Sequence, residues 1–259
     1  MSTHPLSVTI ITLNEEKRLA KCLNSVAFAD EIIVIDSGST DQTVSIAQKQ
    51  GAKVISQAWL GYGPQKHFAV QKAQYDWVLC LDADEQVSPE LAQQIQTVLK
   101  NPQHHAYQSP RINFFMGRWL HHGEGYPDWS LRLFHRQHAR WSEDSVHESV
   151  ITQKTIGKLP GHLLHESQDT LAHYLEKQNR YTSLQAQQMQ QAGKQPSIIK
   201  MILSPLVRFI KFYFLRRGFL DGVPGLVHVL IGCYNSFIKM AKFIDLRQRD
   251  ERPNESLSS

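Results

Sequence analysis

Cysteine is scarce in this chain of 259 residues: Cys22, Cys80 and Cys233 are an odd, scattered set, two of them in apolar contexts. That excludes a disulfide framework and a zinc site, and reads as reduced structural thiols of a cytosolic protein. Also missing is any uninterrupted run of about 20 apolar residues, so a membrane-spanning helix is not expected. The first apolar run, in "MSTHPLSVTIITLNEE", has no basic stretch before it and leads directly into acids. It reads as a first strand and not as a signal peptide. Internal repeats are absent, and low complexity is confined to a Gln-rich patch at 185–191. Apolar residues themselves are not in short supply: at 41% they suffice for a core and argue against disorder. The length accommodates one large domain, or one domain with an appendage.

Charge is unevenly spread. Residues 1–193 hold 17 Lys+Arg against 19 Asp+Glu, whereas residues 194–249 hold 10 against only Asp221 and Asp245. The formal net charge of +4 therefore conceals one strongly basic C-terminal segment. It points to an anionic surface contacted there.

Through the first hundred residues, strand-like runs at 7–13, 31–37, 52–57 and 77–82 alternate with helical patterns at about 15–27, 40–50, 65–74 and 88–99. Thr40 is expected to cap the second helix, and Ser88 with Pro89 to start the fourth. Strand and helix in alternation predict an α/β fold, a mostly parallel sheet covered on both faces. Ligands of such sheets bind at the carboxyl ends of the strands. Asn14-Glu15, Asp36-Ser37 and Asp82-Ala83-Asp84 all fall at those ends. From about 102 to 165 the pattern turns irregular and rich in His, Trp and Gly, with strands expected at 129–136 and 147–152, followed by one polar helix at 169–191.

The stretch "WVLCLDADEQVS" sets Asp82, Asp84 and Glu85 at the end of a buried-looking strand. Crowded carboxylates repel one another unless a cation, a donor or water offsets the charge. Asp82 and Asp84 point to one side of an extended backbone, which suits a divalent ion carrying a phosphate. The plainer alternative is an acidic turn opening a helix. Asp36, closing "IIVIDSGSTDQT", is suited to the imide N–H of uracil or to ribose hydroxyls, or to an ordinary turn that leads into the next helix.

Taken in order and spacing, "VTIITLNEE", "IIVIDSGSTDQT", "GYGPQKHFAV" and "LCLDADE" resemble the nucleotide-binding half of glycosyltransferase family 2, which has the GT-A fold. The resemblance extends more loosely through "LRLF" and "VHE". It implies an inverting transferase using a UDP-sugar. Thr12, Asn14, Glu15 and Asp36 would lie beside the nucleotide, and Asp82 and Asp84 would hold ribose and a Mg2+ or Mn2+ ion, with His165 as a further metal ligand. Lys66 and Arg132 become candidates for diphosphate contact. The base that activates the acceptor hydroxyl would be Asp144 or Glu148, in "WSEDSVHES". Trp119, His121, His122, Tyr126 and Trp129 are candidates for an acceptor wall, since aromatic faces stack on sugar rings.

Within the family, the chain most resembles the branch that adds glucose to the inner-core heptose of lipopolysaccharide. That implies a lipid-linked glycan acceptor and a peripheral position on the cytoplasmic face of the inner membrane. Alternatives are another cell-envelope glycan, a polyprenyl phosphate acceptor, or a nucleotide-sugar-binding protein without turnover. Residues 197–247 mix Ile, Leu and Phe with Lys200, Arg208, Lys211, Arg216 and Arg217. The mixture fits amphipathic helices lying on a membrane better than a nucleic-acid site, with a helical cap as the alternative. The expected division is a catalytic domain over 1–168 in halves at 1–100 and 101–168, a helical region over 169–249, and a flexible tail.

Overall fold

The computed structural model describes residues 4–143, 148–166 and 170–251. The chain divides into two compact units, Met1–Asn113 with Pro127–Ser167, and Phe114–Tyr126 with Gln168–Ser259.

The first unit is built on one sheet. β1 (Leu6–Thr12), β2 (Glu31–Asp36), β3 (Lys53–Ser56) and β4 (Trp77–Asp82) run parallel in the order β3-β2-β1-β4. Their crossovers carry α1 (Leu19–Ser25), α2 (Thr43–Lys49) and α3 (Tyr62–Gln71). β5 (Glu85–Val87), α4 (Pro89–Val98) and β6 (Ala106–Phe115) follow, and β7 (Arg118–Leu120) belongs to the second unit. β8 (Asp128–His135), β9 (Ala139–Trp141), β10 (Val150–Thr152), β11 (Ile156–Lys158) and β12 (Leu163–His165) complete the unit. Beyond β4 the sheet continues β8-β6-β12-β5. β8 is antiparallel to both its neighbours, β12 is parallel to β6 and antiparallel to β5, and β9 with β10 forms a separate ribbon.

A parallel strand covered on both faces is largely apolar, as β4 (WVLCLD) is, while β1 buries Ser7, Thr9 and Thr12 as well and the edge strand β3 (KVIS) is exposed or half-buried. Alternation then sorts them. Trp77, Leu79 and Leu81 of β4 join Leu19, Cys22 and Leu23 of α1 and Leu91 and Ile95 of α4. Val78 and Cys80 join Ala69 and Val70 of α3 with Phe134 and Trp141 on the other side. Cys22 and Cys80 are thus buried free thiols.

α4 starts as the sequence predicts: Ser88 Oγ accepts from the Leu91 N–H at 3.2 Å, with Pro89 at the first helical position. α2 does not. Its cap is Gln42, and the Thr40 N–H donates to Asn14 Oδ1 at 2.8 Å, so the turn is drawn toward β1. Asp41 Oδ1 accepts from the Thr43 N–H at 2.9 Å in place of a threonine cap.

In the second unit α5 (Leu171–Gln191) and α6 (Ile198–Phe209) both pack on α7 (Gly222–Glu251). A π turn at Ile210–Leu215 and a 3-10 turn at Gly218–Asp221 separate α6 from α7. Ala186, Met240 and Phe243 form the core, with Met189 and Met201 against it. Among the described residues no helix is long and apolar enough to cross a membrane.

Candidate active site

Strand register lines up three site residues. Thr12 pairs with Asp36, and Ile11 with Asp82, so Asp36, Thr12 and Asp82 stand side by side at the carboxyl edge of β2, β1 and β4. This is where open α/β sheets bind ligands.

Asp36 is buried and holds its own turn. Oδ2 accepts from the Gly38 and Ser39 N–H groups at 3.0 Å each, and Oδ1 from the Ser39 hydroxyl at 2.5 Å. Gly38 has φ +100°, which a side chain would make costly. Asn14, at φ 54°, donates its N–H to Ser39 Oγ at 2.9 Å and so ties the loop after β1 to the loop after β2. The Glu15 N–H donates to Thr43 Oγ1 at 2.8 Å, and the Glu15 carboxylate pairs with Arg18 at 3.0 Å. Thr12 Oγ1 is buried and has no hydrogen-bond partner among the described residues. Orphaned buried hydroxyls are uncommon, and this one lies at the strand edge beside Asp36.

The second group is a charge network built around two buried residues, Lys66 and Glu85. Lys66, from α3, is 2% exposed. Its Nζ lies 3.0 Å from Asp82 Oδ1, donates to Asp82 Oδ2 at 3.1 Å, and donates to Glu148 Oε1 at 2.8 Å. Arg132, from β8, donates to Glu85 through Nη2 at 2.8 Å and Nε at 3.1 Å, and reaches Asp82 Oδ2 at 3.4 Å. The indole of Trp141 lies 4.9 Å from Lys66 Nζ and 5.5 Å from the Arg132 guanidinium, within cation–π range. Arg111 approaches Glu85 at 3.5 Å and is otherwise held by Asp128 at 2.7 Å.

These pairings set the protonation states. Burial alone would raise the Glu85 carboxyl, but Arg132 and Arg111 outweigh it and hold it at about 2. Burial works against the Arg132 charge in turn, yet Glu85 and Asp82 keep that guanidinium more firmly protonated than usual. Both stay charged at neutral pH.

Asp84 pairs with His165. Its Oδ2 lies 3.3 Å from His165 Nε2, while His165 Nδ1 is 2.6 Å from Asn113 Oδ1. With Nδ1–H donated to the amide oxygen, Nε2 offers its lone pair next to a carboxylate oxygen. An imidazole oriented this way from behind is the usual arrangement of metal-bound histidine. The Asp84–His165 pair therefore fits a divalent ion. Asp82 faces Lys66 and Arg132 instead, and among the described residues no group of three or more His, Cys, Asp or Glu side chains is gathered to hold one.

Of the two candidate bases, Glu148 sits in the network, and Asp144 lies outside the described residues. The aromatic candidates fall in different units. Trp129 lies under Lys158 at 4.9 Å in the first. Trp119, His121, His122 and Tyr126 belong to the second, where His122 is bonded to Asp221 through its N–H at 2.8 Å and Nδ1 at 3.0 Å. Sequence reading missed Glu85 as the anchor of two arginines, and Asn113 and Trp141 altogether. The one available signal was Arg132 between Leu131 and Leu133, a charge set in an apolar strand.

The family model for Glycosyl transferase family 2 matches residues 7–156, and the chain belongs to that family. Its α/β sheet with flanking helices has the GT-A arrangement. An uncharacterized glycosyltransferase of Rickettsia typhi is 35% identical over 93% of this chain and 87% of its own. The lipopolysaccharide core biosynthesis glycosyltransferase LpsC of Rhizobium meliloti is 30% identical over 96% of both chains. Among solved structures, S. aureus TarS in complex with UDP-GlcNAc aligns with 96% of this chain and 92% of its own at 16% identity and TM-score 0.49.

Proposed function

We propose that this glycosyltransferase moves a hexose, glucose, from a UDP-sugar to a lipid-linked glycan, the inner-core heptose of lipopolysaccharide, with inversion and on the cytoplasmic face of the inner membrane. The observation that carries the reading is the Lys66–Asp82–Arg132 network at the strand ends, with Lys66 buried and its partners partly so, two fixed cations where a leaving diphosphate would gather charge. Thr12 Oγ1 and Asp36 supply polar groups for the uridine end. Asp84 and His165 are the residues that would hold Mg2+ or Mn2+. When bound, the ion supplies charge neutralisation on the leaving group. The end-to-end similarity to LpsC supports the choice of acceptor.

Lys66 has a second task in this reading. A diphosphate drawing on Nζ competes with Glu148 for it, and a released Glu148 can take the proton of the acceptor hydroxyl, unless Asp144 does so.

The membrane position is supported by α6. Ile198, Ile199, Ile202, Leu203, Leu206 and Val207 recur at helical spacing, and each is more than half exposed. Lys200, Lys211, Arg216 and Arg217 lie along the same stretch. Arg208 leaves that set, because it is paired with Glu124 inside the second unit. Apolar residues with basic neighbours match an anionic bilayer.

A donor screen tests the proposal: nucleotide release is followed with deacylated core oligosaccharide as acceptor. UDP-glucose should give acceptor-dependent UDP release, and preference for a different donor, or release indifferent to acceptor, would overturn it.

A further inference from the structure

The second unit holds a cavity of about 360 Å³ among α5, α6, α7 and the Gly123–Gly125 turn. That lies within the roughly 300–1,000 Å³ of small-molecule sites. At about 30 Å³ per water molecule, it is well beyond a pocket for one or two ordered waters. Its walls are polar. Tyr174 and Tyr181 offer rings, while Gln178, Gln185 and Asn235 offer amides, which donate and accept at once, as sugar hydroxyls do.

Two cations line the cavity, and only one is compensated. Arg208 donates through Nε to Glu124 Oε2 at 2.9 Å, through Nη2 to the other carboxylate oxygen, and through Nη1 to Ser236 Oγ at 2.8 Å. Gly232 makes room for this pair, since a Cβ there would collide with the Glu124 carboxylate. Lys239 is half-buried, and its ammonium has no hydrogen bond or ion pair among the described residues. Burial, then Arg208 and Lys194, press its pKa down, as happens to a cation that lacks a counter-charge. His228 adds no positive charge at neutral pH, because burial and then Arg208 hold it at about 4. Burial pushes the Tyr174 hydroxyl up to about 12, so it remains a donor.

One acceptor is also orphaned. Asn235 donates Nδ2 to Gln178 Oε1 at 2.7 Å, but its Oδ1 is buried and has no partner among the described residues. A buried amide oxygen asks for a hydroxyl or N–H, and an uncompensated ammonium asks for an anion. We propose that this cavity binds a sugar bearing a phosphate or carboxylate group, with the anion at Lys239 and ring hydroxyls on the amides of α5 and α7. The proposal goes beyond the transferase reading, since it concerns binding within the second unit and not turnover.

Calorimetric titration of the full-length protein, with excess UDP present to cover a nucleotide site, provides the test. The probes are glucose 6-phosphate, glucuronate, glucose and inorganic phosphate, against the wild type, Lys239→Gln and Lys239→Arg. At least one anionic sugar should bind saturably and tenfold or more tighter than glucose. Lys239→Gln should weaken that binding at least tenfold, and Lys239→Arg should retain most of it. Whichever anionic sugar binds tighter identifies the anion as phosphate or carboxylate. Three results would overturn the proposal: no saturable binding of either anionic sugar to the wild type, equal binding by folded Lys239→Gln, or inorganic phosphate binding as tightly as glucose 6-phosphate.

Discussion

A carboxylate without exposed surface keeps its charge only if cations surround it, and Glu85 has Arg132 on one side and Arg111 on the other. Glu85→Gln leaves two half-buried or buried guanidiniums facing a neutral amide. Removing one partner of a buried pair costs about 3–5 kcal/mol, so denaturant unfolding should show a loss of that order. A loss below about 1 kcal/mol would mean the arginines re-pair with Asp82 and Asp128. The pH dependence follows from the same group. Its carboxyl is held at about 2 in the fold, against about 4.3 in the unfolded chain. Its stabilisation is complete above the unfolded value and disappears as pH falls toward 2, on the order of 3 kcal/mol in all. The acid limb of the wild-type stability curve should therefore be steeper between about pH 4 and 2 than that of Glu85→Gln.

Two further residue-scale outcomes separate binding from chemistry. Asp84→Ala should abolish transfer and weaken Mn2+-dependent UDP binding, with its circular dichroism unchanged. Full turnover of the wild type in EDTA would remove the metal from the scheme. Of Asp144→Asn and Glu148→Gln, the variant that loses the base should fall by orders of magnitude in kcat with donor affinity little altered. Near-native rates in both would place the base elsewhere.

Elements read from sequence well where their cause is local. The four parallel strands are found within one or two residues of the expected ranges, because a short, mainly apolar run bounded by polar turn residues is a local signal. Ser88 and Pro89 are a local start signal, and Ser88→Ala should cost about 1 kcal/mol in thermal or denaturant unfolding. Thr40 has the same chemistry, but Asn14, far from it in the chain, takes its N–H. That competition cannot be read from the neighbouring residues. The site divides in the same way. Asp36, Asp82, Lys66 and Arg132 were legible as candidates, whereas the answer to the crowded acids was not. Asp82, Asp84 and Glu85 meet cations or an imidazole brought by elements other than their own, Asp82 from α3 and β8, Asp84 from β12, and Glu85 from β8 and β6. Such pairings exist only once the sheet order is known.

At the scale of the whole molecule, the basic, apolar C-terminal stretch should decide where the protein resides. Each Lys or Arg near an anionic surface contributes about 1 kcal/mol. Changing Lys200, Lys211, Arg216 and Arg217 to Gln should therefore release much of the protein from anionic liposomes, while activity on a soluble acceptor survives. Salt should weaken the wild-type binding, leaving an apolar remainder from α6. Binding that is equal on neutral and anionic liposomes would count against the electrostatic part.

β12 gives the first unit a timetable. Among the described residues β5 finds its strand partner only in β12, which slots between it and β6 and brings His165 to Asp84 and Asn113. During synthesis the acids at 82–85 emerge well before residues 163–165. A nascent chain therefore carries that acidic corner with one wall unbuilt until nearly the whole unit has left the ribosome. Pairings this distant in sequence form late, because loop closure precedes their reward. The Ser88 N–H donates to the His162 carbonyl at 3.0 Å, whereas that of Val87 donates to Ser25 Oγ at 3.0 Å, so protection of the Ser88 amide should appear together with protection at 163–165 in pulse-labelled refolding. A chain ending at residue 160 lacks His162 and should leave the Ser88 amide exchanging freely, however well β1 to β4 have formed.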